Sequence, residues 1–395
     1  MSARSHDLVL FGATGFTGGL TAEYLARNAP AKMLGAKRWA IAGRSLSKLE
    51  QLREHLAAIN PACADMPLLV AAADDDAALA EIARHAKVVL TTVGPYLKYG
   101  EPLVRACAEA GTHYCDLTGE PEFVDAMWLK YHETAKRTGA KLVHCCGFDS
   151  IPHDLGAYFT VQQLPSDNAI RVQGFVRFGG EFSGGTLHSA IHQFSRLGAY
   201  AKVKSARQKR DEWPLDRKIG SVHTGVRYIK ELAMWAAPMP TIDPQVVLRS
   251  AAALDCYGPD FRYGHFIQVK TLGGVAKLGA GVGAALLGSQ VGVLREKLLA
   301  MKLPGDGPSP ERRAKSWFKV TFVGESAGRR VVTRVSGGDP GYSETSKMLA
   351  ESALCLAFDR LPAKGGQLTT AVAMGDALIK RLKKAGMSFD VIEKP

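Results

Sequence analysis

The stretch DLVLFGATGFTGG, residues 7–19, limits the fold more than any other part of the chain. An apolar run suited to a buried strand meets Gly12, Gly15 and Gly18 at the spacing G-x-x-G-x-x-G, and TGGLTAEYLARN follows as a helix. Strand, glycine turn and helix in that order form the start of a dinucleotide-binding unit. Glycine supplies the tight turn and lets backbone approach a diphosphate, which rests on the N–H groups and positive dipole end of the helix. Gly12, Thr14, Gly15, Phe16, Thr17 and Gly18 would line that cradle. A glycine-rich turn that holds nothing has the same local signature, so the rest of the chain must decide.

The alternation continues to about residue 150. RWAIAGR, PLLVAA and KVVLTTVGPY read as strands, as do THYCDLTGE and KLVHCCGFDS. SLSKLEQLREHLAAI, DDDAALAEIARHA and EPLVRACAEAG read as helices, the last ending at Gly111. Strands alternating with helices predict an α/β fold with a doubly wound parallel sheet, a Rossmann domain over residues 1–148. The texture changes near residue 170. IRVQGFVRFGGEFSGGT predicts a strand entering a glycine turn, and LHSAIHQFSRLGAY one helix. Residues 202–230 predict a solvated basic face, while SWFKVTFVGE and RRVVTRVSGGDPGY predict antiparallel strands. These place a second, α+β domain with an antiparallel sheet at 149–338. GYSETSKMLAESALCLAF predicts an amphipathic helix and DALIKRLKKAG another. SGGT (Ser183–Thr186) and SGGDPGY (Ser336–Tyr342) predict tight turns.

Which nicotinamide cofactor the cradle suits depends on the end of the second strand. An NAD site places an acid there to bind the ribose hydroxyls. This chain has AGRSLSK, so Arg44 would meet a 2′-phosphate, with Ser45 hydrogen-bonding it and Lys48 nearby. The expected cofactor is NADP(H). Thr92, Val93, Gly94 and Pro95 follow the fourth strand, at the carboxyl end of the sheet where α/β ligands bind. Tyr96 is open to two readings, proton donor or packing aromatic.

The formal charge of +12 over 395 residues favours anionic partners: nucleotide phosphates, coenzyme A, an acidic carrier protein or a lipid surface. No zinc-finger spacing, RNP-like segment or long Lys/Arg block points to nucleic acid. Seven scattered cysteines without a CxxC pair, and no secretory signal, lead to reduced thiols and a cytoplasmic setting. No metal constellation emerges: His188 and His192 are four apart but lack a companion carboxylate. LGAGVGAALLGSQVGVL, residues 278–294, is uncharged and at the short limit for a bilayer span. It is readable as a buried helix or as peripheral membrane contact.

GATGFTGG, IAGRS, TTVGPYLKYGEPLVRACAEAGTHYCDLTGE, CCGFDSIPHDLG, SGGTLHS, LPGDGPSPERR and SGGDPGYSETSKMLAESALCLA occur in order from residue 9 to about 357. In these segments the chain resembles the saccharopine dehydrogenase-like oxidoreductases, in particular a bacterial branch of trans-acting enoyl reductases. The resemblance implies an N-terminal NADP-binding domain, an α+β second domain and C-terminal helices (339–395) packing back on the first. A homodimer is one open arrangement. It implies either reduction of an enoyl or related acyl thioester in lipid or glycolipid synthesis, or imine reduction to a secondary amine. The substrate would be acyl or lipid-linked, carried on coenzyme A or an acidic carrier protein. A third reading is a membrane-associated NADP-binding protein without catalysis. Enoyl reduction needs a group to stabilise enolate charge and a group to protonate the α-carbon. Tyr96, Lys98 and His153 are the candidate catalytic residues, with Asp149 and Ser150 beside His153 and with Asp116 and Glu120 at another strand end. The family pattern has a small residue where this chain has His153. An imine reductase would instead need arginines for substrate carboxylates, for which Arg171, Arg177 and Arg196 are the candidates.

Overall fold

The computed structural model describes residues 4–30, 33, 38–180, 184–211, 213–222, 224–300 and 307–394. They fall into two compact units: Met1–Phe148 with Gly305–Gly307 and Tyr342–Arg381, and Asp149–Pro304 with Pro308–Gly341 and Leu382–Pro395.

The first unit is built on a seven-stranded, wholly parallel sheet. In chain order its strands are β1 (His6–Phe11), β2 (Trp39–Gly43), β3 (Leu68–Val70), β4 (Ala86–Thr91), β5 (His113–Asp116) and β6 (Lys141–Val143). A late strand, β14 (Gly366–Leu368), pairs with β6 to give the order β14-β6-β5-β4-β1-β2-β3. Every residue of WAIAG in β2 is buried, as helices on both faces of a parallel sheet require. The order reverses between β1 and β4, the topological switch point of a doubly wound sheet. The helix Glu101–Ala110 stops at Gly111, whose φ of +69° suits glycine, and Thr112 N–H closes the turn on Cys107 O at 2.9 Å.

Residues 121–138, where the apolar pattern assigns no element, form a helix that starts on Pro121 and ends at Gly139, φ +79°. The strand read from KLVHCCGFDS lasts only from Lys141 to Val143. Beyond it Asp116 captures the His144 ring and the Cys145 amide, and the backbone turns at Cys145 with φ +62°. Ser343–Phe358 is not amphipathic as expected, since Met348–Ala357 are all buried. The helix lies across β1, β4, β5 and the helix Phe16–Asn28, so its second half has no solvent side. Glu351 is held there by Tyr24 Oη at 2.7 Å and Arg381 at 3.2 Å.

The second unit carries an eight-stranded sheet of β7 (Ile170–Gly179), β8 (Lys218–Ser221), β9 (Arg227–Ile229), β10 (Met234–Pro238), β11 (Asp260–Val269), β12 (Trp317–Ser326), β13 (Arg329–Gly337) and β15 (Ser388–Glu393). The expected antiparallel sheet is in fact mixed, because β7 and β8 both run parallel to β11. The long, helix-bearing connection between β7 and β11 permits a parallel crossover that a hairpin cannot make. β15 pairs with β13 in a region where the sequence pattern offers only helices. Phe322 fills the space over Gly156, where a Cβ would lie 2.3 Å from its ring.

LHSAIHQFSRLGAY is two helices, Gly184–Phe194 and Leu197–Gln208, rather than one. The first begins at Gly184, so SGGT is a helix start instead of a hairpin turn, and Ser183 lies outside the described residues. The basic stretch 202–230 is only partly a solvated face. Arg207 is buried and, with Arg249, flanks Asp211, whose carboxylate takes both Arg249 terminal nitrogens at 2.9 Å. At SGGDPGY the turn is made by Asp339, whose carboxylate accepts Gly341 N–H at 3.2 Å.

Candidate functional site at the switch point

β1 and β4 lie side by side, with Phe11 opposite Thr91, so the loops that leave them are neighbours. Thr92 N–H donates to Phe11 O at 3.2 Å and Thr92 Oγ1 to Gly12 O at 3.1 Å, tying the two loops together. Each glycine of the fingerprint has a separate reason to be glycine. Gly12 turns at φ +84°, and a Cβ there would stand 2.5 Å from Val93. A Cβ on Gly18 would stand 2.2 Å from Gly12 O and 2.9 Å from Ala13 Cα, so its absence lets helix and loop close up. Gly15 differs. Its φ of −78° suits any residue, and a Cβ would meet only Gly12 O, at 3.5 Å.

The fold therefore does not itself demand glycine at position 15. Gly15 is the exposed N-cap of Phe16–Asn28, without a side-chain cap and without an acid in the first turn. An open, uncompensated helix N-terminus fits a diphosphate. Thr14 is exposed beside it. Thr17 contributes backbone, its carbonyl taken by Thr21 Oγ1 at 2.8 Å and Ser346 Oγ at 3.3 Å. The Phe16 ring is engaged edge-on with Tyr342, centroids 4.9 Å apart, which leaves its main chain as the part available to a ligand.

Arg44 and Ser45 leave the end of β2. Arg44 is exposed and, among the described residues, has no ion-pair partner, while Ser45 Oγ lies 3.3 Å from Ser47 Oγ. A cation left unpaired at this strand end fits a 2′-phosphate. Arg44→Ala is expected to weaken NADPH by about 1.5–3 kcal/mol, roughly 10- to 150-fold, and NADH far less. Titration of both cofactors into the variant measures it, and equal weakening would remove the phosphate role.

The loop after β4 is anchored from below. Val93 N–H donates to Thr91 Oγ1 at 3.2 Å, and the Gly94–Pro95 peptide is cis. The buried Glu120 carboxylate accepts Tyr96 N–H at 3.1 Å and Leu97 N–H at 2.8 Å, capping the short helix Tyr96–Tyr99. Of the two readings of Tyr96, packing is the one seen. Its hydroxyl donates to Thr91 O at 3.2 Å and accepts Leu117 N–H at 3.1 Å, and burial first, then Asp116, pushes its pKa well up. The phenol is enclosed, with its donor and acceptor roles both filled. Lys98 is exposed, its ammonium 4.9 Å from the Tyr99 ring centroid.

Beneath the same sheet end, the buried Asp116 carboxylate collects four donors. Tyr114 Oη lies at 3.0 Å, Thr118 and Cys145 N–H at 3.1 Å, and His144 Nδ1 at 2.6 Å. His113 is a separate case: its Nδ1 accepts Lys141 N–H at 3.1 Å, which requires the neutral ring. Burial, followed by the nearby Lys141, Arg4 and Lys87 charges, lowers its pKa to about 4. The unfolded chain then binds the proton more tightly, so this histidine's stabilising effect is complete above pH 6.5 and lost as pH falls toward 4. Relative to His113→Gln, the wild type is expected to lose about 3 kcal/mol between those limits, readable by urea unfolding at each pH.

In the second unit His153 is buried, with Nδ1 2.7 Å from Asp243 Oδ1. His265 Nε2 is 3.5 Å from the other Asp243 oxygen, the two rings meet edge-to-face at 4.9 Å, and Tyr263 Oη lies 3.2 Å from His265 Nδ1. His153 is thus an enclosed pairing residue rather than an open acid or base. Asp149 is half-buried and pushed up to about 7, by burial and then by Asp243, with His153 pulling the other way. Ser150 Oγ donates to Asp149 O at 2.6 Å. Asp243 and His265 lie 90 and 112 residues beyond His153, and no spacing in one sequence links them. Of the candidate arginines, Arg177 stacks over Trp317 at 5.4 Å and Arg196 is exposed, while Arg171 stands exposed opposite Glu325 in the register of β7 with β12 and lines one open pocket with Arg262, Arg329 and Arg330. His188 Nε2 lies 2.8 Å from Leu299 O, and among the described residues no three metal-ligating side chains gather.

Residues 8–143 match the saccharopine dehydrogenase NADP binding domain. A Mycobacterium tuberculosis protein provisionally named a trans-acting enoyl reductase is 40% identical over 419 residues, covering 98% of this chain and 97% of its own. The trans-acting enoyl reductase of Mycobacterium ulcerans is 35% identical, with 97% of each chain covered. Among solved structures, apo saccharopine dehydrogenase (L-Glu forming) from Saccharomyces cerevisiae superposes with a TM-score of 0.55 at 12% identity over 98% of this chain and 99% of its own, a likeness of fold. The chain belongs to the saccharopine dehydrogenase-like oxidoreductases and is an NADP-dependent enzyme of that family.

Proposed function

We propose that the enzyme reduces the carbon–carbon double bond of an enoyl thioester during lipid assembly. The observation that carries this reading is the likeness along nearly the whole chain to proteins named trans-acting enoyl reductases. NADPH, when bound, supplies a hydride for the β-carbon; a proton at the α-carbon completes the saturated acyl product, and NADP⁺ is released. The protein's part is to hold the diphosphate at the N-terminus of Phe16–Asn28 and the 2′-phosphate at Arg44. Thr92 and the anchored 93–95 loop fix the wall beside the switch point. A net charge of +12 suits delivery of the acyl group on coenzyme A or an acidic carrier protein.

The amine-forming alternative is distinguished by its substrates rather than by the arginines, since Arg171 and Arg262 line one open pocket with Arg329 and Arg330. Purified enzyme with NADPH is expected to consume cofactor with enoyl thioesters and yield the saturated acyl thioester by mass spectrometry. Turnover confined to lysine with 2-oxo acids would overturn the proposal.

A further inference from the structure

The helix Leu272–Gln290 carries no charge but Lys277, with a mean hydropathy of 1.3 over its best 18-residue window and only 11% of that window buried. Leu287 is 71% exposed on it, and Val293 is 66% exposed on the following helix, Gly292–Ala300. An all-round apolar helix is ordinarily covered by protein or by lipid. Its glycines sharpen the point. A Cβ on Gly273, Gly279, Gly281, Gly283 or Gly292 would meet nothing within 4 Å. Each interior glycine costs a helix about 1 kcal/mol relative to alanine, and among the described residues no close packing offsets it at Gly279, Gly281 or Gly283, whereas Gly288 packs on Leu298. The pattern of charge is equally one-sided. Between Asp260 and Glu296 the sequence has no carboxylate, while Lys270 and Lys277 stand toward one end and Arg295 and Lys297 toward the other.

We propose that this helix pair is a monotopic anchor that lies in the headgroup region of an anionic phospholipid bilayer. Exposed Leu and Val side chains would enter the acyl boundary, and the flanking cations would meet lipid phosphates. Lys277, inside the apolar helix, can extend its stem and keep its ammonium at headgroup level. The helix lies along the surface rather than crossing it: 19 residues rise only about 28 Å, and its glycine-rich composition is weakly apolar for a span. A second copy of the chain is the poorer occupant. An isologous pairing would set Lys and Arg against the same cations, with Glu296 as the one carboxylate on the pair to offset them. The proposal stands apart from the enoyl reading, because none of these residues lies at the switch point.

The test is flotation of the full chain with phosphatidylcholine vesicles, with and without phosphatidylglycerol. The wild type is expected to float with the phosphatidylglycerol vesicles and to be released by high salt. The double variant L287E/V293E, which changes two exposed side chains, is expected to lose at least tenfold in bound fraction while its melting temperature and NADPH affinity stay unchanged. Equal flotation of the double variant, or no flotation of the wild type, would overturn the anchor. So would a lipid-free dimer by light scattering that the same variant dissolves, which would assign the face to a second copy.

Discussion

Gly15→Ala is expected to keep the wild-type melting temperature and to lose tenfold or more in NADPH affinity, whereas Gly18→Ala is expected to destabilise the protein itself. The two positions are three residues apart in one motif, yet they are glycine for different reasons. A methyl group at position 18 would need to occupy space 2.2 Å from Gly12 O and 2.9 Å from Ala13 Cα, and both obstacles are backbone. Neither can rotate away, so loop and helix must part, at a cost of about 3 kcal/mol. A methyl at position 15 meets only Gly12 O at 3.5 Å and sits on a φ of −78°, so the empty protein accepts it. What it disturbs is the approach of a diphosphate to the helix N-terminus, where each charge-assisted hydrogen bond is worth about 1.5–3 kcal/mol. Thermal unfolding and calorimetric titration separate the two effects. Unaltered NADPH affinity in Gly15→Ala would show that the diphosphate does not approach at that point.

Asp116→Ala is expected to cost about 3–5 kcal/mol of stability, since each buried donor left unsatisfied costs about 1–3 kcal/mol and several are left at once. The substitution strands Tyr114 Oη, His144 Nδ1 and the Thr118 and Cys145 amides, all enclosed at the end of β5. Cys145 is held at φ +62° while it donates to this carboxylate, so the turn into Phe148 loses its support with the hydrogen bond. Asp116→Asn keeps an acceptor for the two amides, and its expected cost is smaller, about 1–2 kcal/mol. Urea midpoints at constant slope measure both. An alanine variant within about 1 kcal/mol of wild type would mean that water replaces the carboxylate.

The places of the glycine loop, Arg44 and the β4 loop in the fold could be read from sequence because each follows directly from local pattern: a strand end, then a fixed offset. The parallel sheet was legible for the same reason, each buried strand being a short continuous apolar run. What could not be read depends on partners distant in the chain. Tyr96 has the composition of a proton donor and is consumed by Thr91 and Leu117. His153 has the chemistry of a general base and is enclosed by Asp243 and His265. Glu120 reads as an acid at a strand end, and only the fold shows that it clamps the amides of Tyr96 and Leu97. The helix Ser343–Phe358 departs from its expected amphipathic form for a related reason. Its Ser and Glu residues suggest a wet face, but Ser352 satisfies itself on Met348 O at 2.8 Å and Glu351 is paired.

The central claim is that the loop between β1 and its helix grips a phosphorylated nicotinamide dinucleotide. Isothermal titration of the purified chain with NADPH and with NADH addresses it directly. Saturable heat with NADPH, and affinity at least tenfold weaker for NADH, is the expected result; no heat with either cofactor would contradict it.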